Sequence, residues 1–322
     1  IDSNFVRIFA ESAAETQELE NKWFMKIQDE GRDFYILIAS GDLQYTYSVA
    51  KIAVNQLQAL MVAYKEKFDR NNFFQNLILD NLLLVDIYNR AKKLHLEVEA
   101  KRIVYLIETK GESESVAKEL LKSLFSQHNG DYVTSVDERN IVLIKSLRKE
   151  GIEEEIQQTA KTIVDMLNTE AMLSVKVSYG TVVNELKEVS KSYKEAKMAL
   201  DVGKIFYIEK SVIGYEKLGI GRLIYQLPVN LCRMFMTEIF GENLPDKLDE
   251  ETQITIHKFF ENSLNVSETA RQLYIHRNTL VYRIEKLEKE TGLDIRNFDD
   301  ALTFKIALMV VSYLQYLDHR DY

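Results

Sequence analysis

Cysteine and proline are nearly absent from this chain: its 322 residues include one cysteine and two prolines, with twelve glycines and a single tryptophan. Cys232 alone can form no intramolecular disulfide and no CxxC metal motif. Its place in the apolar helical run Leu231 to Ile239 makes it a core residue rather than a nucleophile. The five histidines are scattered, with no HxH or HExxH spacing, so no zinc site is expected. No cofactor, metal or catalytic constellation is expected elsewhere. No run of about 18 apolar residues is free of charge, which argues against a transmembrane helix. A secretory hydrophobic region is also lacking. Together these absences suit a reducing, bacterial-type cytoplasm. The first residue is Ile rather than Met, so the natural N-terminus is expected to lie upstream.

What is present is an ordinary globular composition, 46% hydrophobic and 28% charged, long enough for two or three domains with real cores. The formal net charge is −9, so the protein as a whole does not favour polyanions. One stretch departs from this. Between Arg271 and Lys289, five Lys/Arg face Glu285 and Glu288, a local balance of +3.

That stretch reads as two short helices joined by a tight turn. Ser267 suits an N-cap and Glu268 the first helical position. Ala270 is small enough for a close helix crossing, and Tyr274-Ile275 forms the turn with Ile275 as its anchor. The second helix is expected from about Arg277 to Glu290. Leu280, Ile284 and Leu287 form its buried stripe at i, i+4, i+7. Asn278, Tyr282 and Lys286 lie on the opposite face, with Thr279 at its edge, and Gly292 is the stop. A recognition helix puts its N-terminal residues against base edges in the major groove. Arg grips guanine, Asn adenine, and Thr the thymine methyl. His276, Arg277, Thr279 and Tyr282 are therefore the candidate base readers, Arg283 and Lys286 the candidate phosphate holders, and Asn278 is the remaining DNA-binding candidate on this face. The bland alternative is a solvated amphipathic helix.

Ser267-Glu-Thr-Ala-Arg-Gln-Leu273 followed by His276-Arg-Asn-Thr-Leu-Val-Tyr-Arg283 closely resembles the C-terminal helix-turn-helix of the purine-catabolism and sugar-diacid regulator family. A similar arrangement occurs in the DNA-bending factor for inversion stimulation. Thr255-Ile256 and Thr291-Gly-Leu-Asp294 resemble the family's flanks. Leu264 stands where many members have Gly, a difference expected to alter loop shape alone. The resemblance implies a transcription regulator acting as a homodimer or higher oligomer on double-stranded DNA, under a small-molecule effector such as a sugar diacid or purine-derived compound.

Four regions are expected. Residues 1–70 read as the tail of a sensor domain, with a strand at 34–39 and a long signalling helix from Leu43 to Phe68, most of the domain preceding Ile1. Residues 71–100 form a helical linker resembling the family's, with Asp69-Arg-Asn-Asn72 marking a break. Residues 101–215 alternate as β-α-β-β-α-β, the order of a ferredoxin-like sheet with helices on one face. Residues 216–322 form an all-α DNA-binding domain, with the helix-turn-helix at 266–290 and Asn243-Leu-Pro-Asp246 as a connector. The fold class is thus α+β and multidomain. The last helix, from Asp299, is apolar on most sides and belongs in a core or at a subunit interface.

The middle region, followed by Ser192-Tyr193 and Ala196, resembles the family's domain related to GGDEF diguanylate cyclases. A cyclase needs a Gly-Gly turn and metal-binding carboxylates. Here the hairpin is Val136-Asp-Glu-Arg-Asn140, without glycine, and the first strand ends in Glu108-Thr109. Asp137 and Glu138 read as a solvated turn, so an assembly or relay role is expected and not an enzyme. The alternative is a nucleotide-sensing or nucleotide-converting protein. Gly219-Ile-Gly221 is too little of a dinucleotide fingerprint to imply a cofactor.

Overall fold

The apolar runs at 103–107 and 141–144 become the two central strands of a six-stranded sheet. The structure is a computed structural model that describes residues 3–29, 32–41, 43–109, 114–125, 130–148, 150–241 and 249–318. The expected connector Asn243 to Asp246 lies outside the described residues. Chain contacts divide the protein into two compact units, Ile1–Glu99 and Ala100–Tyr322.

In the first unit, helix α1 (Ser3–Glu11) precedes an antiparallel sheet of β1 (Thr16–Leu19), β2 (Lys22–Asp29) and β3 (Arg32–Ser40). Helix α2 (Leu43–Ile78) lays Ala50 and Val54 on that sheet against Met25 and Ile27. It runs unbroken through Asp69 to Asn72, where the sequence led us to expect a break. Phe73, Phe74, Leu77 and Ile78 are buried in its last turns. Burial, worth about 1.5–3 kcal/mol per large side chain, outweighs the few tenths that Asn costs in a helix. The chain turns instead at Asp80, which has φ 62, before helix α3 (Leu84–Lys93).

The second unit begins as the expected β-α-β-β-α-β: β4 (Glu99–Glu108), α4 (Glu114–Phe125), β5 (Tyr132–Ser135), β6 (Asn140–Ser146), α5 (Ile152–Glu170) and β7 (Lys176–Tyr179). The order β5-β6-β4-β7 is antiparallel throughout, which is the ferredoxin-like arrangement. Two further strands join it. β8 (Val183–Glu185) pairs with β4, and β9 (Val212–Gly214) adds parallel to β7.

Helices cover both faces of this sheet, not one. α4 and α5 cover Ile103, Tyr105, Ile107, Leu143 and Val177. On the other face lies α6 (Val189–Phe206): Ser178 Oγ donates to the Ala196 carbonyl at 2.8 Å, and Val104 N donates to Ser192 Oγ at 3.1 Å. The cause is legible in β4. Ile103-Val-Tyr-Leu-Ile107 is apolar without alternation, so both faces must be buried.

Helices α7 (Ile220–Tyr225), α8 (Val229–Phe240), α9 (Glu250–Glu261), α10 (Val266–Gln272), α11 (Arg277–Thr291) and α12 (Phe298–Asp318) follow. The long apolar helix α12 serves two cores. Ala301 and Phe304 pack with Ile256, Phe259, Leu280 and Ile284. Ala307, Val310 and Tyr313 pack with Ile205 of α6, Ile224 of α7, and Cys232 and Met236 of α8. It thereby joins the helix-turn-helix to the sheet domain. Gly221 is a packing glycine, since a Cβ there would lie 2.9 Å from Phe206.

Candidate nucleic-acid interface

Helix α10 is capped by Asn265, whose side chain accepts the Glu268 amide at 3.1 Å. The expected cap, Ser267, is the second residue of the helix, within its first turn. An Asn in extended conformation reaches the third amide as well as a Ser does, and the preceding backbone selects it. Ser263 and Leu264 are both left-handed, at φ 51 and 64. That conformation favours glycine, and Leu264 adopts it with a full side chain. Leu264 packs its side chain on the helix-turn-helix core.

Thr269 is fully buried and donates to the Asn265 carbonyl at 2.8 Å. The Asn262 side chain donates to the Lys258 carbonyl at 2.9 Å and to Gln272 at 3.2 Å. These bonds tie α9 to α10. Between α10 and α11, Tyr274 adopts φ 55 and is 96% exposed, while Ile275 packs on the core as expected.

His276 is the N-cap of α11, and its Nδ1 accepts the Asn278 amide at 3.2 Å. With Nδ1 engaged, Nε2 is the nitrogen left to donate outward. Leu280, Ile284 and Leu287 are buried, seating the helix on α9 and α12. Arg277, Asn278, Thr279, Tyr282 and Lys286 are exposed. Gly292, at φ 75, ends the helix with its amide on the Glu288 carbonyl at 2.7 Å.

Arg283, expected at a phosphate, is turned toward α9. Its guanidinium pairs with Glu251 and donates to Thr255 Oγ1 at 3.1 Å. The motif's spacing could not disclose this partner, which lies 32 residues upstream. Lys286 is 3.8 Å from Glu290, with both side chains more than half exposed. Arg296 was also missed by the sequence reading. It lies 2.9 Å from Glu288, 3.8 Å from Glu285 and 2.7 Å from Asp294, drawing together the acidic groups of α11. The Arg296 side chain holds the Asp294 carboxyl below the usual carboxylate range. Arg271 does the same for Glu268, pushed down to about 2.

At the sheet hairpin, the carboxylates are internally engaged. Asp137 Oδ1 accepts the Arg139 and Asn140 amides, each at 2.8 Å, and Oδ2 accepts the Asn140 side chain at 2.8 Å. Burial opposes its ionisation, but these hydrogen bonds outweigh that and hold it below the usual range. Glu108 is ion-paired with Lys204 of α6. Among the described residues, no three His, Cys, Asp or Glu side chains gather as a metal site would require. Burial raises the Cys232 thiol.

A helix-turn-helix with an open, polar second helix defines a DNA-binding domain. Residues 254–310 match the PucR C-terminal helix-turn-helix domain, and residues 81–202 match the GGDEF-like domain. The chain thus carries a PucR-type C-terminal helix-turn-helix domain together with a GGDEF-like domain. It is 26% identical to the purine catabolism regulatory protein of Bacillus subtilis (strain 168), over 74% of this chain and 48% of that one. It is 23% identical to the carbohydrate diacid regulator of Escherichia coli (strain K12), over 81% and 70% of the two chains. It is 24% identical to the DNA-binding transcriptional activator AdeR of Bacillus subtilis, over 87% and 67%. The chain spans about half the length of the first of these relatives.

Proposed function

We propose that this protein regulates transcription by reading a two-fold DNA operator as a dimer, one α11 per half-site, under a small metabolite sensed N-terminally. The observation that carries this is the exposed row Arg277, Asn278, Thr279 and Tyr282, projecting from a helix whose other side is fully seated in a core. No hydrogen bond or ion pair engages the Arg277 side chain among the described residues, so its five donors are available to a guanine edge or a phosphate. His276 reads through Nε2, and Lys286 holds a phosphate. Arg283 orients α11 against α9.

Residues 1–70 and 71–100 are assigned to sensing and linkage, 101–215 to assembly or relay, and 216–322 to DNA reading. The occupied carboxylates Glu108 and Asp137 favour a non-enzymatic sheet domain over a nucleotide-converting one. No helix among the described residues is long and apolar enough to cross a membrane, and a cytoplasmic site of action fits the single cysteine.

Selection of duplexes from fragmented source-genome DNA, at roughly 150 mM salt to suppress nonspecific phosphate binding, tests the proposal. A palindromic motif enriched by the parent and lost with Arg277→Ala is expected. Well-folded protein that enriches nothing would overturn it.

A further inference from the structure

Helix α2 carries an apolar face that nothing among the described residues of its own unit covers. Tyr45, Val49, Ile52, Leu60 and Tyr64 are between 58% and 74% exposed; Tyr45, Val49 and Ile52 lie opposite Ala50 and Val54, which sit on the sheet, and from there the row winds through Leu60 toward Tyr64 at its flank. Leu57 stands exposed at its edge. From Leu43 to Tyr64 the only charged residue is Lys51. A helix face made for water carries charges, whereas the centre of a protein interface lacks them and is enriched in aromatics. Of the 28 large hydrophobics exposed among the described residues, 16 lie in residues 1–99 and 12 in the rest, so the excess is local to this unit.

The geometry points to a second copy of this chain as the occupant, with α2 pairing in parallel across a two-fold axis. The stripe and its edge expose on the order of 800 Å² of mostly apolar surface, about what one partner contributes to a standard interface. The stripe has one polar member, Gln56, exposed at its centre. A single polar residue in an apolar seam is self-complementary across a two-fold axis and sets its register. Orientation follows from the reading proposed above, on which this inference rests. α2 has 36 residues, hence a length of about 54 Å. An antiparallel pair centred on Gln56 would set its two C-terminal ends about 66 Å apart. A parallel pair keeps them together, so both copies continue from the same end of the seam, which suits two copies reading one two-fold operator.

Sedimentation equilibrium on the 322-residue chain without DNA tests this. The parent should be dimeric at about 1 μM, and Val49→Glu with Leu60→Glu should weaken association at least about 100-fold. Both sites are exposed, so circular dichroism should be unchanged. A monomeric parent, or a dimer indifferent to the double change, overturns the inference. As a second readout, Val49→Cys, Leu60→Cys and Tyr64→Cys should each cross-link to its own equivalent on oxidation, with buried Cys232 inert. Cross-linking at only one of the three would overturn the parallel pairing. Because DNA is left out, a dimer that reads no operator would sink the DNA assignment alone, and a monomer that binds duplex would sink this one alone.

Discussion

Arg283 of α11 is paired with Glu251 of α9 and also donates to Thr255 Oγ1 on the same helix at 3.1 Å. The recognition helix is therefore fixed in rotation by a charged contact as well as by its apolar stripe. Thr255 is buried, so Arg283→Ala should cost about 1–2 kcal/mol of stability. Glu251 is mostly exposed, and Glu251→Ala should cost about 0.5 kcal/mol. If Arg283 orients and does not bind phosphate, its removal leaves the salt dependence of DNA affinity almost unchanged. Lys286→Ala should instead flatten the slope by about one. Thermal unfolding and salt titrations of both variants decide it, and a slope change of one for Arg283→Ala would return it to the phosphates.

Arg277 is exposed, and unpartnered among the described residues, at the first position of α11. Arg277→Ala should weaken binding to the best operator by about 1–3 kcal/mol and relax choice at one base pair. Lys286→Ala should weaken all sequences alike. The two patterns separate in a competition assay over single-base operator variants. Uniform weakening by Arg277→Ala would make it a phosphate contact.

Asn265 and Ser267 offer a local test. The Asn265 side chain accepts the third amide of α10, and Asn265→Ala should cost about 1 kcal/mol. Ser267 lies inside the helix, and Ser267→Ala should change stability by less than about 0.5 kcal/mol. Denaturant unfolding measures both. The reverse order would restore Ser267 as the cap.

Legibility in the sequence followed the range of the interaction. The stripe Leu280, Ile284, Leu287, the turn anchor Ile275 and the stop Gly292 are local, and each stands where its spacing placed it. The central strands were legible as apolar runs. The second covered face of the sheet was implicit in the unbroken run Ile103 to Ile107, but α6 had to be placed by tertiary packing. β1 and β2 went unread because polar residues interrupt them, and neighbours in the sheet, not intrinsic pattern, hold them. The continuity of α2 through Asp69 to Asn72 depends on burial of Phe73 and Phe74. The Arg283 to Glu251 pair spans 32 residues and has no local signal.

The Glu268 carboxyl is pushed down to about 2 by its hydrogen bonds from Arg271 and Gln272 and by the Arg271 charge. A folded-state value below the ordinary 4.5 means that the stabilising contribution is complete above 4.5 and is lost as pH falls toward 2. Carbon-detected NMR titration should find the Glu268 midpoint near 2. Arg271→Ala should move it upward, part of the way back, because Gln272 still donates at 2.9 Å. A midpoint indifferent to Arg271 would mean that the pair does not persist in solution.

Two glycines give the same substitution different consequences. At Gly292 an added Cβ meets nothing within 4 Å, but φ is 75. Gly292→Ala should therefore cost only the left-handed penalty, about 1 kcal/mol. At Gly180 the added atom would fall 2.0 Å from the Ser192 carbonyl oxygen on α6. Ser192 also accepts the Val104 amide and donates to the Thr181 carbonyl at 2.8 Å, so α6 cannot retreat without breaking sheet bonds. Gly180→Ala should cost about 3 kcal/mol, at the upper end for overpacking. Chemical denaturation of the two variants compares them. Equal losses would show that the turn after Tyr179 yields, and that α6 is not seated on the sheet through Ser192.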